Sequence, residues 1–175
     1  MTGYVALLRA VNVGGTGKLP MATLRELCLS AGFANVATYI ASGNVVFESN
    51  GTEADVRLAL ETRLSAYAGK AVGVIVRTVP EIAGVLSNNP FADAPANRVI
   101  ALFVDGRLPS DPFDGVTGAA NEQIRLGTRE LFVFYPDGLA ATGLRIPAGK
   151  SGTSRNMNTV ARLAEMGGAL ASAKQ

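Results

Sequence analysis

Two glycine-rich stretches hold the residues of this chain best suited to phosphate chemistry. "RAVNVGGTGKL" (9–19) gathers Arg9, Asn12, Gly14, Gly15 and Lys18, and "PAGKSGTSRNMNTV" (147–160) gathers Lys150, Arg155, Asn156 and Asn158. Glycine lets backbone N–H groups approach an anion closely, and lysine, arginine and asparagine add side-chain donors. Neither stretch is a Walker A loop, which needs glycine, four residues, then Gly-Lys-Ser/Thr so that the amides wrap the phosphates at one curvature. The position that should be the first glycine is Leu144 for one stretch and Asn12 for the other, and Leu19 follows Lys18 where a hydroxyl is required. The dinucleotide spacing G-x-G-x-x-G fails too, because Gly15 and Gly17 are followed by Pro20 at the third position. A weaker anion site survives. Thr153 or Ser154 caps a helix whose N-terminal dipole, with Lys150 and Arg155, favours negative charge.

Charge points to the same stretches. The net charge of +2 is too small to imply nucleic-acid binding, but residues 1–25 hold Arg9, Lys18 and Arg25 with no acid. Residues 138–164 likewise hold Arg145, Lys150, Arg155 and Arg162 with no acid. The chain has no histidine and a single cysteine, which removes Ser-His-Asp triads, Cys-His pairs and histidine-ligated zinc. No carboxylate cluster offers a magnesium or calcium site, so neither metal nor cofactor is expected. Cys28 falls on the apolar face of its helix and reads as core. An enzyme on this chain would have to work through arginine and asparagine electrostatics, and the reading leans away from one.

The elements that must position these residues are legible from periodicity. With 175 residues, 48% of them hydrophobic and 17% charged, the chain is long and apolar enough to bury a core, and no apolar run approaches a membrane span. "MTGYVALLRAV" lacks a signal-peptide pattern, and a lone cysteine forms no internal disulfide, so a cytoplasmic protein is expected. "YVALL" (4–8) reads as a strand. Leu24, Leu27, Cys28 and Ala31 give the helical spacing i, i+3, i+4, i+7 with Gly32 as the stop. "VATYIASGNVVFES" reads as a hairpin, Thr52 with Asp55 as the cap of a helix striped by Val56, Leu60 and Leu64, and "VGVIVRT" (72–78) as a closing strand.

The order βαββαβ predicts an α+β, ferredoxin-like plait over residues 1–79, with strand 4–8 central and both helices on one face. The strand is apolar on both faces, so the far face needs cover from the second half of the chain or from a second copy in a homodimer. In the plait, Asn12, Lys18, Ser42, Asn44 and Lys70 gather at one end of the sheet. Residues 80–175 predict a second α/β lobe. It has a short helix in "PEIAGVLSNNPF", a strand over 99–104, a hairpin turning near Gly127, and a last helix over roughly 155–170. On that helix Arg155, Asn158, Thr159 and Arg162 are expected to share a polar face. "VFESNG" (46–51) and "VFYPDG" (133–138) share V-F-x-x-[N/D]-G, which raises a degenerate duplication against the plainer reading that such dipeptides end many strands.

Blocks in this order resemble a known family. "RAVNVGG", M-x-x-L-R-E-L (21–27), GF-x-N-V-x-T-Y-I-x-SGNVVF (32–47), "NPF" (89–91), "YPDG" (135–138) and T-x-RN-x-NTV (153–160) are similar to the bacterial domain-of-unknown-function family 1697. That pattern usually has glycine at Ala10, glutamine at Ala41 and tryptophan at Met157. The resemblance implies an α/β structure of ferredoxin-like character and no particular activity. Its blocks fall on 9–15, 42–44 and 153–158, the regions already marked by charge and topology.

The leading expectation is therefore a cytoplasmic binding protein for a phosphate-bearing small molecule or nucleic acid, with no membrane association. Its site is a basic crevice between two lobes, formed by Arg9, Asn12, Gly14, Gly15, Ser42, Asn44, Lys150, Arg155, Asn156 and Asn158. The rivals are a dimerising interaction module and an enzyme without histidine.

Overall fold

The computed structural model describes residues 1–12 and 17–173. Its elements run β1 (Thr2–Leu8), α1 (Met21–Ser30), β2 (Ala34–Tyr39), β3 (Asn44–Ser49), α2 (Glu53–Ala68), β4 (Val74–Thr78) and α3 (Val79–Ser87). They continue with β5 (Val99–Phe103), β6 (Gln123–Leu126), β7 (Glu130–Phe134), β8 (Thr153–Asn156) and α4 (Met157–Ser172). The chain divides into two compact units, one holding residues 1–82 and the segment from Leu163 onward, the other residues 83–162. The expected boundary at 79–80 falls just before this division, in the first turn of α3. The division passes through α4, and the return of its part from Leu163 onward to the first unit is not legible in the sequence.

The first unit is the plait. Its four strands pair antiparallel in the order β2-β3-β1-β4, with β1 central between β3 and β4. Tyr4, Ala6 and Leu8 face α1 and α2, where Leu24, Cys28, Val56, Leu60 and Leu64 close over them. Phe33 stacks on Phe47 at 4.4 Å between ring centres. Burial of side chains this size is worth roughly 1.5–3 kcal/mol each, which fixes both helices to the sheet. The Thr52 hydroxyl accepts from Asp55 N at 3.2 Å while the Asp55 carboxylate accepts from Thr52 N at 2.9 Å, so the start of α2 is a complete capping box.

The opposite face of β1 is equally dry, with Val5 and Leu7 fully buried within the single chain. α4 contributes to this side of the unit. Val79 lies between Gly3 and Gly167, where a Cβ would come within 3.0 Å and 2.7 Å of its methyl groups. Of the two covers expected for this face, the second half of the chain or a second copy, the chain itself supplies one.

The second unit repeats the strand order without the crossover helices. Its antiparallel sheet runs β6-β7-β5-β8, again second, third, first, fourth. The segments 105–122 and 135–152 replace the helices, and Leu108, Val116, Ile146 and Ala148 from them pack on a core of Ile100, Leu102, Ile124, Leu131 and Val133. A bridge between Thr117 and Arg145 ties the two segments together.

The last helix starts later than the sequence suggests. Residues 153–156 do not open the last helix; they form β8, paired with β5, and α4 starts at Met157. The cap is Asn156, whose Oδ1 accepts from Thr159 N at 3.0 Å, and neither Thr153 nor Ser154. Four polar or charged residues carry no strand period of their own, so the pairing partner decides their conformation. Arg155 and Thr159 accordingly turn inward and are buried, off the solvated face of α4 on which Asn158 and Arg162 remain exposed.

Candidate functional site

At the end of the first sheet where β1 stops and β4 begins, three segments border a cavity of about 390 Å³. The loop after β1 supplies Arg9 and Lys18, the last turn of α2 supplies Tyr67, and the segment leading into β4 supplies Lys70. Val11, Leu19, Leu64 and Val72 give it an apolar side. The plait topology brings these together because the exit of one strand and the start of its neighbour lie at the same end of an antiparallel pair.

Each cation has a local reason for its place. Arg9 N donates to Gly73 O at 2.9 Å, extending the β1–β4 ladder by one bond beyond the strands. Its side chain lies across Gly73, where a Cβ would fall 3.0 Å from Arg9 Cδ, so a larger residue would push the arginine aside. Lys18 precedes Leu19, which Asn12 holds. Asn12 Nδ2 donates to Leu19 O at 2.8 Å, and Asn12 Oδ1 accepts from Leu19 N at 2.7 Å, as a paired strand would. The same Nδ2 donates to Ala41 O at 2.8 Å, joining the loop to the β2–β3 turn. Lys70 follows Gly69, which ends α2 in the left-handed conformation at φ 69°.

The C-terminal end of α2 carries partial negative charge, so any preference for anions rests on the three side-chain cations and not on a helix dipole. No carboxylate is among the described lining residues. The nearby Glu61 is engaged elsewhere, accepting from Val74 N and Arg57 Nε, both at 3.1 Å.

Of the residues expected at a site, Arg9 borders this cavity and Asn12 braces it. Ser42 and Asn44 shape the β2–β3 turn: Asn44 is fully buried, and its Nδ2 donates to Tyr39 O and Ser42 Oγ, both at 2.9 Å. Gly14 and Gly15 lie outside the described residues. In the second unit, Lys150 is exposed in a 3-10 turn over Pro147–Lys150. Arg155 Nη1 donates to Thr153 Oγ1 and Ser154 O, both at 2.9 Å, and burial lowers its guanidinium to about 10. Asn156 caps α4, and Asn158 is exposed on its first turn. Lys18 and Lys70 reach the sheet end as the topology predicted. Tyr67 was missed, although it continues the Val56, Leu60, Leu64 stripe one step further, past the edge of the core.

Among the described residues no group of histidine, cysteine, aspartate and glutamate could hold a metal ion, and no helix is long and apolar enough to cross a membrane. The chain belongs to the DUF1697 family, described as a protein of unknown function, whose model matches residues 1–132. It is similar to a solved structure, the conserved bacterial protein SP0830 from Streptococcus pneumoniae. The two are 26% identical with a TM-score of 0.78, over 95% of this chain and 98% of that one. No curated protein matches the chain. The family read from the sequence blocks is therefore the right one, and the likeness of fold extends through both units.

Proposed function

We propose that this DUF1697 chain is a cytoplasmic binding protein for a phosphate-bearing ligand, held in the basic cleft of the first unit. The observation that supports it is the convergence of Arg9 and Lys18, from the loop after β1, with Lys70, from the segment leading into β4, on one concave site whose described lining lacks a carboxylate. Solvated surface cations are common and mean little singly; three around a cavity with an apolar wall are a better match to a ligand than to water. Hydrogen bonds to charged groups are worth roughly 1.5–3 kcal/mol each, enough for micromolar binding when combined with apolar contact. A reducing compartment suits a chain whose one cysteine is buried.

The test is calorimetric titration of the full chain with pyrophosphate, mononucleotides and short RNA and DNA at two salt concentrations. Binding that weakens with salt, and by about tenfold in Arg9→Ala or Lys70→Ala, is expected. Absence of binding to every anion at low salt would reject the reading.

A further inference from the structure

The cleft has two chemically different sides, and a bare phosphate needs only one of them. Arg9, Lys18 and Lys70 suit the anion, whereas the half-buried Val72 and the exposed Tyr67 would be left facing water beside a small inorganic ion. Tyr67 stays 48% exposed at the rim although it continues a buried helical stripe, so its ring remains open to a flat partner. The cavity of about 390 Å³ lies within the range that encloses one small molecule, whereas proteins that follow a nucleic-acid strand use a groove several nucleotides long.

We infer that the occupant is a single nucleotide, its phosphate on the three cations and its base against Tyr67 and the apolar wall. This rests on the phosphate reading of the same cleft and adds the ligand class. Ring stacking accepts any base, so little discrimination among bases comes from Tyr67 itself. A sugar phosphate shares the anion but lacks the ring, and a strand of RNA shares both but continues past the cavity.

The experiment compares ribose 5-phosphate, adenosine and uridine monophosphates, and a ten-nucleotide single-stranded RNA on the full chain at low salt. Both monophosphates are expected to bind about tenfold tighter than ribose 5-phosphate. Tyr67→Ala should remove that margin and leave ribose 5-phosphate binding unchanged, while Tyr67→Phe keeps the margin. Lys70→Ala should weaken all three small ligands. Tyr67 is exposed enough for its variants to fold, which a thermal melt checks directly. If ribose 5-phosphate binds as well as the nucleotides, or Tyr67→Ala leaves nucleotide affinity intact, the inference fails while the phosphate reading stands. RNA binding per molecule much tighter than any mononucleotide would replace it with an extended strand site. No binding by any of the four would remove both.

Discussion

Ala10 holds a backbone φ of 51°, in the left-handed region that costs a residue with a Cβ roughly 1–2 kcal/mol. The glycine usual at this place in the family pattern has its physical reason here. Glycine brings a more mobile unfolded chain, an offset of about 0.4–1 kcal/mol, so Ala10→Gly should stabilise by about 1 kcal/mol. In a chain this size that is a rise of about 2–4 °C in Tm, read from a thermal melt. Cys28 gives a prediction of opposite character. Burial pushes its thiol from 9.0 up to about 12, so the folded state keeps a proton that the unfolded chain loses. Its contribution is fully present below about pH 9 and is lost as pH rises from there through 12. Native and Cys28→Ala chains, unfolded in urea at pH 8 and pH 10, should therefore differ by about 1.4 kcal/mol less at the higher pH. An unchanged gap would mean that the thiol is reached by water.

At the scale of elements, α1 and α2 are legible because their apolar residues recur at helical spacing and their ends carry a glycine stop and a capping box. β8 is not legible: Thr153–Asn156 offers no apolar alternation, and its strand character comes from pairing with β5, a contact between residues about fifty positions apart. The cleft is half legible for the same reason. Plait topology gathers Lys18 and Lys70, but nothing local says that Tyr67 stays exposed. α4 contains adjacent glycines whose environments are opposite. At Gly167 a Cβ would fall 2.7 Å from Val79 Cγ1, while at Gly168 it would meet nothing within 4 Å. Helix propensity alone favours alanine at both by about 1 kcal/mol. Gly168→Ala should therefore stabilise by up to that amount. Gly167→Ala should destabilise instead, because overpacking costs roughly 1–3 kcal/mol against the same gain. Equal effects in denaturant melts would show that α4 does not press on Val79.

Across the whole molecule, the two sheets share a strand order, and the likeness extends to the junction between each fourth strand and the helix after it. Arg77 and Arg155 are both buried two residues ahead of that helix, and each donates through Nη1 to the preceding carbonyl, Val76 O and Ser154 O, at 2.9 Å. The next residue caps the helix in both units: Thr78 Oγ1 accepts from Glu81 N at 3.3 Å, and Asn156 Oδ1 from Thr159 N at 3.0 Å. The shared V-F-x-x-[N/D]-G pattern marks the end of the third strand in each. Helices cross over in one unit and irregular segments in the other, so little else of the repeat survives as sequence. This equivalence assigns Asn156 the same capping work as Thr78, a role distinct from the ligand role that its neighbours Lys150 and Arg155 suggested. Loss of either cap, in Thr78→Ala or Asn156→Ala, should cost about 1 kcal/mol. Asn156→Asp keeps an acceptor for Thr159 N and adds a negative charge at a helix start, where the dipole favours it. That variant should melt within about 0.5 kcal/mol of the native chain and bind anions as the native chain does. A carboxylate inside an anion site would instead repel the ligand, so a loss of anion affinity with stability preserved would make Asn156 a ligand residue as well as a cap.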